Sequence, residues 1–457
     1  MGDSSSTVGE VIDGIPLGRF HRRMLAVTGV VWATTAVEIL IISFTIPIFV
    51  DIWSLSSLQA GLLGSAGLLG MIFGNSLGGW YADRFGRKTA LAMSVAFFSV
   101  FTGLTSLAVG FYSAFLLRLL TGLGVGGTVA IDASFLTEHV PTGQRGRYLA
   151  YLEGFFALGN MTTVVLAWLI LPGGLTGGTV AGLPAWRVFY LVAAAPLVLV
   201  VAIHYWLGES PYFLASKGRA ERASERLREI AAENGTDAPL TSGAVHTNEQ
   251  AESGFRRLFQ PDVVRATVLT SVIWFGLNFG YYGVFIWLPD TVEAAGYVGG
   301  LYQYLFVVAV FQLCGIGAAA VLVDRIGRKT TLTAGFTLAG LSTATFTVAI
   351  PGVDVGLGIG GRIPFLAGLF ATGFFVFAVF ATIFAYTTEL FPTEVRSTGL
   401  GFSGGVGKIA AVIGPILVGY FVEFGYLVAL MPFALSLLLA GLVVAALGRE
   451  TMGESLQ

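Results

Sequence analysis

The chain has 457 residues, of which 55% are hydrophobic and 11% charged, with a formal net charge of −2. Soluble domains carry about 25% charged residues, so this composition excludes a protein whose whole surface faces water. The one cysteine, Cys314, excludes an intramolecular disulfide and a cysteine-built metal site.

A bilayer core about 30 Å thick needs about 20 mostly apolar residues per helix, and runs of that kind follow one another along the chain. Residues 1–23 are polar and lack an apolar h-region, which predicts a cytoplasmic tail rather than a cleaved signal. Helix 1 is predicted over 24–50, with Glu38 near its middle. Helix 2 spans 57–81 and is followed by Asp83-Arg84-Phe85-Gly86-Arg87-Lys88; helix 3 spans 89–109. Helix 4, 112–138, holds Arg118 in its outer part, Asp132 toward its inner end and Glu138 at that end, with Arg145 just beyond. Four of its glycines, Gly122, Gly124, Gly126 and Gly127, suit close helix packing. Helix 5, 148–171, carries Glu153, and helix 6 spans 186–207.

Residues 208–262 form the only long polar stretch, with Glu209 at its start and an acid and base spacing that suits a solvated helix. This linker is either a spacer or part of a gate. Helix 7, 264–288, is rich in aromatic and amide side chains: Trp274, Asn278, Tyr281, Tyr282 and Trp287. Helices 8 and 9 span 301–322 and 331–350, separated by Asp324-Arg325-Ile326-Gly327-Arg328-Lys329. Helix 10, 362–388, ends at Glu389, with Arg396 beyond it. Helix 11, 398–422, contains Lys408, and helix 12, 426–447, leads to a tail at 448–457.

Twelve spans place both termini on one side. Of the 25 Lys and Arg, 21 then fall in cytoplasmic segments, the exceptions being Arg118, Arg187, Arg362 and Lys408. The outer loops hold Asp51, Asp290, Glu293, Asp354 and Glu423, as the positive-inside bias requires. The expected home is the inner or plasma membrane.

The sequence also repeats at half length. The loop at Asp83 recurs at Asp324, an offset of 241, and Thr137-Glu138, Pro141-Thr142 and Arg145 recur as Thr388-Glu389, Pro392-Thr393 and Arg396, an offset of 251. A duplicated six-helix unit explains both, giving an all-α membrane protein with bundles at 24–207 and 263–447.

With these motifs the chain resembles the major facilitator superfamily over essentially its whole length. Gly208-Glu209-Ser210-Pro211, the Glu138-x-x-Pro-x-x-x-Arg145 pattern and Arg449-Glu450-Thr451-Met452-Gly453 resemble the sugar-porter-like branch, which usually has Pro where Gly208 stands and Pro-Glu-Thr where Arg449 begins. The helix 7 segment from Trp274 to Pro289 and Glu153-Gly154-Phe155-Phe156-Ala157-Leu158-Gly159 in helix 5 look most like the niacin and aromatic-acid transporters related to synaptic-vesicle and organic-ion carriers. The resemblance implies a monomer that moves a small molecule through the lipid bilayer by alternating access.

It also implies a cytoplasmic gate. Asp83, Arg87, Glu138, Arg145 and Glu209 in one half, and Asp324, Arg328, Glu389 and Arg396 in the other, are expected to latch the two halves through charged pairs. The plainer alternative, topology signals and solvated charge, applies best to Arg84 and Lys88.

Charges inside the membrane cost about 2.5–3.5 kcal/mol at a helix centre, so they mark a cavity or a partner. Glu38 is the first choice for a protonatable coupling site, with Asp132 and Glu153 after it; a structural ion pair with an unidentified cation is the other reading for Glu38. Lys408 and Arg118 are expected to hold an anionic substrate, or else to neutralise Asp132 or Glu153. The pattern Arg118-x-x-x-Gly122-x-Gly124 also resembles a helix 4 motif that some carriers use in proton transfer. Trp274, Asn278, Tyr281 and Tyr282 suit a flat nicotinate-like or benzoate-like ligand, whereas Trp287 suits an interfacial anchor.

The expected function is proton symport of a small organic acid. A sugar carrier is the alternative, although helix 7 reads Ser271-Val272-Ile273-Trp274 where sugar porters show paired glutamines. A drug antiporter is disfavoured because helix 5 has no proline, and a non-transporting receptor because the deep charges are intact. Without a nucleotide loop, nucleophile elbow or His/Cys cluster, neither enzyme chemistry nor a cofactor or metal is expected, nor is a nucleic-acid partner.

Overall fold

The computed structural model describes residues 7–171, 178–240, 255–353, 356, 358 and 360–452. Asp354 and Gly453, named above, lie outside them. Helices dominate, and the twelve long ones are numbered here in chain order. The first half holds α1 (Arg19–Trp53), α2 (Ser57–Phe85), α3 (Arg87–Thr105), α4 (Phe111–Thr137), α5 (Arg145–Ile170) and α6 (Ala185–Trp206). The second holds α7 (Val264–Ile286), α8 (Leu301–Ile326), α9 (Arg328–Val348), α10 (Arg362–Leu390), α11 (Arg396–Phe421) and α12 (Tyr426–Leu447).

Among the described residues eleven of these are long and apolar enough to cross a membrane; α9 is the exception. Its sequence is threonine-rich, yet the hydroxyls of Thr331, Thr343 and Thr347 donate to carbonyls one turn back, so they remain satisfied away from water. At 21 residues it is about 31 Å long, enough to span, and it packs along α10 and α12. α6 was expected as one run but is broken into Ala185–Ala193, a short tight turn at Ala195–Val198 and Leu199–Trp206. Pro196 sits in that turn, where it has no N–H to give to a helical ladder.

Local chemistry sets the helix ends. Ser56 and Gln59 form a reciprocal cap at the start of α2, each side chain accepting the other's backbone N–H. At the opposite end, Gly86 (φ +105) joins α2 to α3 and Gly327 (φ +88) joins α8 to α9, a backbone conformation that side chains with a Cβ rarely adopt. Within the first half, α4 packs so tightly on α2 that a Cβ on Gly122 would lie 1.9 Å from the Gly67 carbonyl oxygen, and one on Gly74 1.9 Å from that of Leu123. Outward-facing Phe73, Leu77, Leu116, Leu169, Val198 and Leu442 are exposed, as lipid contact requires.

The expected N-terminal tail is partly structured. Helix Val8–Asp13 buries Val8, Val11 and Ile12, and together with helices Pro211–Ser216 and Ala220–Glu233 it docks on the first half. Asn234 locks this assembly, accepting from Phe20 N at 3.0 Å and donating to the Pro16 carbonyl at 3.0 Å, while Arg23 pairs with Glu233 at 2.8 Å. Residues 208–240 of the linker therefore form a platform on the first half, whereas Phe255–Phe259 pack on the second, against Phe402 and Thr267.

Candidate functional site

Three groups of polar side chains interrupt this apolar interior. The first lies inside the first half. Arg118 on α4 donates from Nη2 to the Glu38 carbonyl at 2.5 Å, and its Nη1 stands 3.8 Å from Glu38 Oε2, which also accepts from Thr102 Oγ1 on α3 at 2.5 Å. Glu38 is 0% exposed and Arg118 2%. Beside them is a cavity of ≈ 10 Å³, lined also by Thr121 and Val125, and Glu38 Oε1, Arg118 Nε and Thr121 Oγ1 have no hydrogen-bond partner among the described residues. Arg118 is thus the cation that faces Glu38, and it does not neutralise Asp132. Asp132 is sealed at 0% exposure, and neither carboxylate oxygen has a hydrogen-bond partner among the described residues. It lies 14 residues from Arg118, on the same face of α4.

The second group joins the halves. Asn160 on α5 donates from Nδ2 to Tyr281 Oη on α7 at 3.2 Å and to Gln312 Oε1 on α8 at 3.0 Å. A cavity of ≈ 30 Å³ adjoins it, lined by Ser43, Phe44, Phe285 and Gln312, and neither Asn160 Oδ1 nor Ser43 Oγ has a hydrogen-bond partner among the described residues. On the far side of this cavity from the basic loops, Phe44 stacks on Tyr302 with ring centroids 6.3 Å apart, and Tyr302 Oη donates to the Leu171 carbonyl. Along the other seam, Ser65 on α2 donates to the Val412 carbonyl on α11 at 2.7 Å, and a Cβ on Gly61 would meet the Pro415 carbonyl at 2.6 Å. These contacts between the halves lie at mid-depth and toward the face away from the basic loops.

The aromatic residues of α7 are placed unequally. Tyr281 is at the junction of the halves, and Tyr282 beside it is 9% exposed. Trp274 donates to Thr387 Oγ1 at 2.9 Å and Asn278 to its own helix at the Trp274 carbonyl, so both are engaged within the second half. Trp287, expected as an interfacial anchor, is instead buried at 4% exposure and donates to the Pro415 carbonyl, because α11 crosses over it. Lys408 is half-buried and Glu153 9% exposed; neither has a hydrogen bond or ion pair among the described residues.

The third group sits at the basic face, twice over. Arg87 pairs with Asp83 at 3.0 Å and Glu138 at 3.1 Å; Arg328 pairs with Asp324 at 3.3 Å and Glu389 at 3.3 Å. Glu209 accepts the backbone N–H of Arg87 at 2.8 Å and Lys88 at 3.2 Å, and Glu450 does the same for Arg328 at 2.7 Å and Lys329 at 3.2 Å. Each carboxylate thereby caps the start of a helix, α3 or α9, where orphan N–H groups and the helix dipole favour negative charge. Arg145 donates to the Val140 carbonyl and Tyr212 Oη, and Arg396 to the Thr388 carbonyl. All four ion pairs stay inside one half. The expectation that these pairs latch one half to the other does not describe this arrangement, in which each half carries a complete cluster of its own.

Burial pushes the Glu450 carboxyl up, but the N–H groups of Arg328, Met452, Thr451 and Lys329 outweigh it and hold it below its ordinary value of 4.5. A lowered folded value means the charged cap stabilises fully above about pH 4.5 and is lost as pH falls through the lower folded value. The gap in melting temperature between wild type and Glu450→Gln should therefore hold from pH 7 to about 4.5 and close as the pH is lowered further, through the folded value. A gap that stays constant as the pH falls through that value would contradict the cap.

Thr102, Asn160, Gln312 and Glu450 were not singled out from the sequence as site residues. Glu450 had a usable signal, since it stands 241 residues after Glu209, the offset of the loops both cap.

Two six-helix halves meeting along a polar seam define a membrane transporter of the major facilitator type, not an enzyme. The chain belongs to that superfamily: residues 21–457 match the family described as sugar (and other) transporter. It is 30% identical to the niacin transporter NiaP of Acinetobacter baylyi over 98% of both chains, and 30% identical to the synaptic vesicle 2-related protein of Rattus norvegicus over 100% of this chain and 83% of that one. Among solved structures it matches the partially occluded inward open xylose transporter XylE of E. coli with a TM-score of 0.74, at 17% identity, covering 96% of this chain and 100% of that one.

Proposed function

We propose that this protein is a secondary active transporter that carries a small aromatic or nicotinate-like acid by proton symport and alternating access. The observation that carries this reading is the division of labour between two charged positions: a buried carboxylate, Glu38, facing Arg118 and the Thr102 hydroxyl inside one half, and a half-buried cation, Lys408 on α11, with no ion-pair partner among the described residues. A carboxylate held this way can exchange a proton with little rearrangement, and a lone cation in an apolar path is a receptor for a carboxylate. The likeness to niacin transporters supports the substrate class. Asp132 and Glu153 are the further proton-carrying candidates, and Tyr281 and Tyr282 offer aromatic faces and hydroxyls to the ring.

The basic face is assigned to the cytoplasm of a cell or plasma membrane, with both termini inside. On that assignment the junctions at Phe44–Tyr302, Ser65–Val412 and Gly61–Pro415 close the outer side, as in an inward-facing state, and the ion pairs of each basic-face cluster rigidify its own half.

Purified protein tested by thermal melting against aromatic acids, hexoses and organic cations should be stabilised by the acids, since a ligand of the folded state raises the melting point by mass action. Stabilisation by hexoses alone would replace this reading with a sugar carrier.

A further inference from the structure

Glu38 is bonded to α3, and the chain beyond that contact is lined with hydroxyls. Thr102, whose Oγ1 donates to Glu38 Oε2 at 2.5 Å, is followed one turn on by Thr105, and Ala108 comes one turn later, its N–H donating to the Thr105 carbonyl; all three are buried. Ala108 in turn lines a cavity of ≈ 490 Å³ at the face away from the basic loops. Among the described residues this outer cavity is walled by the first half alone, by Ile52 and Trp53 at the end of α1, Val109 after α3, and Trp186 and Arg187 at the start of α6.

The neighbouring helices repeat the pattern. On α1, Thr45 lies seven residues beyond Glu38 on the same face, and its Oγ1 meets Tyr190 Oη of α6 at 3.0 Å. α6 seats against the outer end of α3, where a Cβ on Gly103 would lie 3.3 Å from that of Ala194. Beside the cavity stand packed rings: Phe49 stacks on Trp53 at 4.4 Å, and Trp186 is edge-on to both at 5.1 and 5.9 Å and to Tyr190 at 6.4 Å. Glu38 thus has one oxygen bonded to the α3 hydroxyls, while Oε1 has no hydrogen-bond partner among the described residues and the side chain also lines the small cavity shared with Arg118 and Thr121.

We propose that Glu38 loads its proton from the outer side through the first half itself, along the hydroxyls of Thr105 and Thr102, and not along the path between the halves. This rests on the proton-symport reading above and deepens it. The proton passes from hydronium in the outer cavity to the Glu38 carboxylate, and each hydroxyl accepts one proton as it gives up another, so it is left unchanged. Thr102 and Thr105 are about 4.5 Å apart along the helix, beyond the reach of a hydroxyl bond of about 2.5–3.0 Å, so one water joins them. The ring stack at Trp186 is the gate. It covers the row in this arrangement, in which the halves meet on the outer side, and so keeps protons from leaking in while the substrate path faces the other way. Separate entrances also mean that substrate seated between the halves does not block loading of the proton.

Proteoliposomes of the full chain, with radiolabelled nicotinate as the probe, test the row. Thr105→Val should slow nicotinate uptake driven by an acidic exterior about tenfold, short of the hundredfold or more that a group in direct proton transfer is worth, and leave exchange of internal for external nicotinate at the wild-type rate. Unchanged uptake, or an equal fall in uptake and exchange, overturns the proposal. The gate is tested without substrate: under an acidic exterior Trp186→Ala should acidify trapped pyranine faster than wild type, and adding Glu38→Gln should restore the wild-type rate. A leak that survives Glu38→Gln is a hole in the bundle and overturns the route, as does a Trp186→Ala variant that melts at the wild-type temperature and stays tight. If Trp186→Ala melts lower, Thr105→Val decides alone. Wild type that exchanges nicotinate without concentrating it under the pH gradient overturns proton symport itself, and wild type that does not move nicotinate overturns the aromatic-acid reading and leaves the Trp186→Ala leak to judge the route.

Discussion

Glu38→Gln will abolish accumulation of substrate against its gradient while leaving exchange of internal for external substrate in place. In proteoliposomes a gradient of one pH unit stores about 1.4 kcal/mol, so one-for-one symport concentrates substrate about tenfold; the variant should stop at about equal concentrations on both sides. The amide keeps the volume of the carboxylate and still accepts from Thr102, which removes a proton site without emptying space. Exchange survives because it needs the halves to rock with ligand aboard and never requires the proton to leave. A variant that still concentrates substrate under the pH gradient removes Glu38 from coupling, and one that loses exchange as well assigns it to the rocking motion instead.

Much of the fold was legible because membrane insertion writes itself into hydropathy: helix 12 was expected at 426–447 and is found at Tyr426–Leu447. The break in α6 was not read, although Pro196 was visible, because apolar residues continue on both sides and a hydropathy run does not register a missing N–H. The deep charges were legible one at a time, since each is expensive in lipid. Their partners were not: Glu38 and Arg118 are 80 residues apart on helices related by no period, so nothing in the spacing could pair them. Asn160 was missed for a related reason. A single amide in an apolar helix looks like tolerated polarity until its neighbours on α7 and α8 are known. The basic-face clusters were legible as clusters, and in this arrangement their ion pairs fall within each half. Arg87 and Arg328, Glu209 and Glu450, and the loops around them all recur at one offset, so each half inherits a full set of partners, and duplication by itself favours pairing within a half.

Arg118→Ala should destabilise the protein by about 3–5 kcal/mol, because it leaves the Glu38 carboxylate buried without its cation and strips a donor from the Glu38 carbonyl. The cost comes mainly from the abandoned charge, and that makes the effect separable. In Glu38→Gln/Arg118→Ala no charge is left behind, and most of the lost stability should return, with the residual reflecting the unfilled volume of the guanidinium and the unbonded carbonyl. Melting temperatures of the wild type, both single variants and the double variant complete the cycle. Recovery of stability in the double variant without recovery of accumulation under a pH gradient is the expected pairing, since folding needs the charges balanced and coupling needs a carboxylate that can lose its proton beside a cation. If the double variant is no more stable than Arg118→Ala, the arginine acts through packing and its bond to the Glu38 carbonyl, and the 3.8 Å approach of the two charges contributes little.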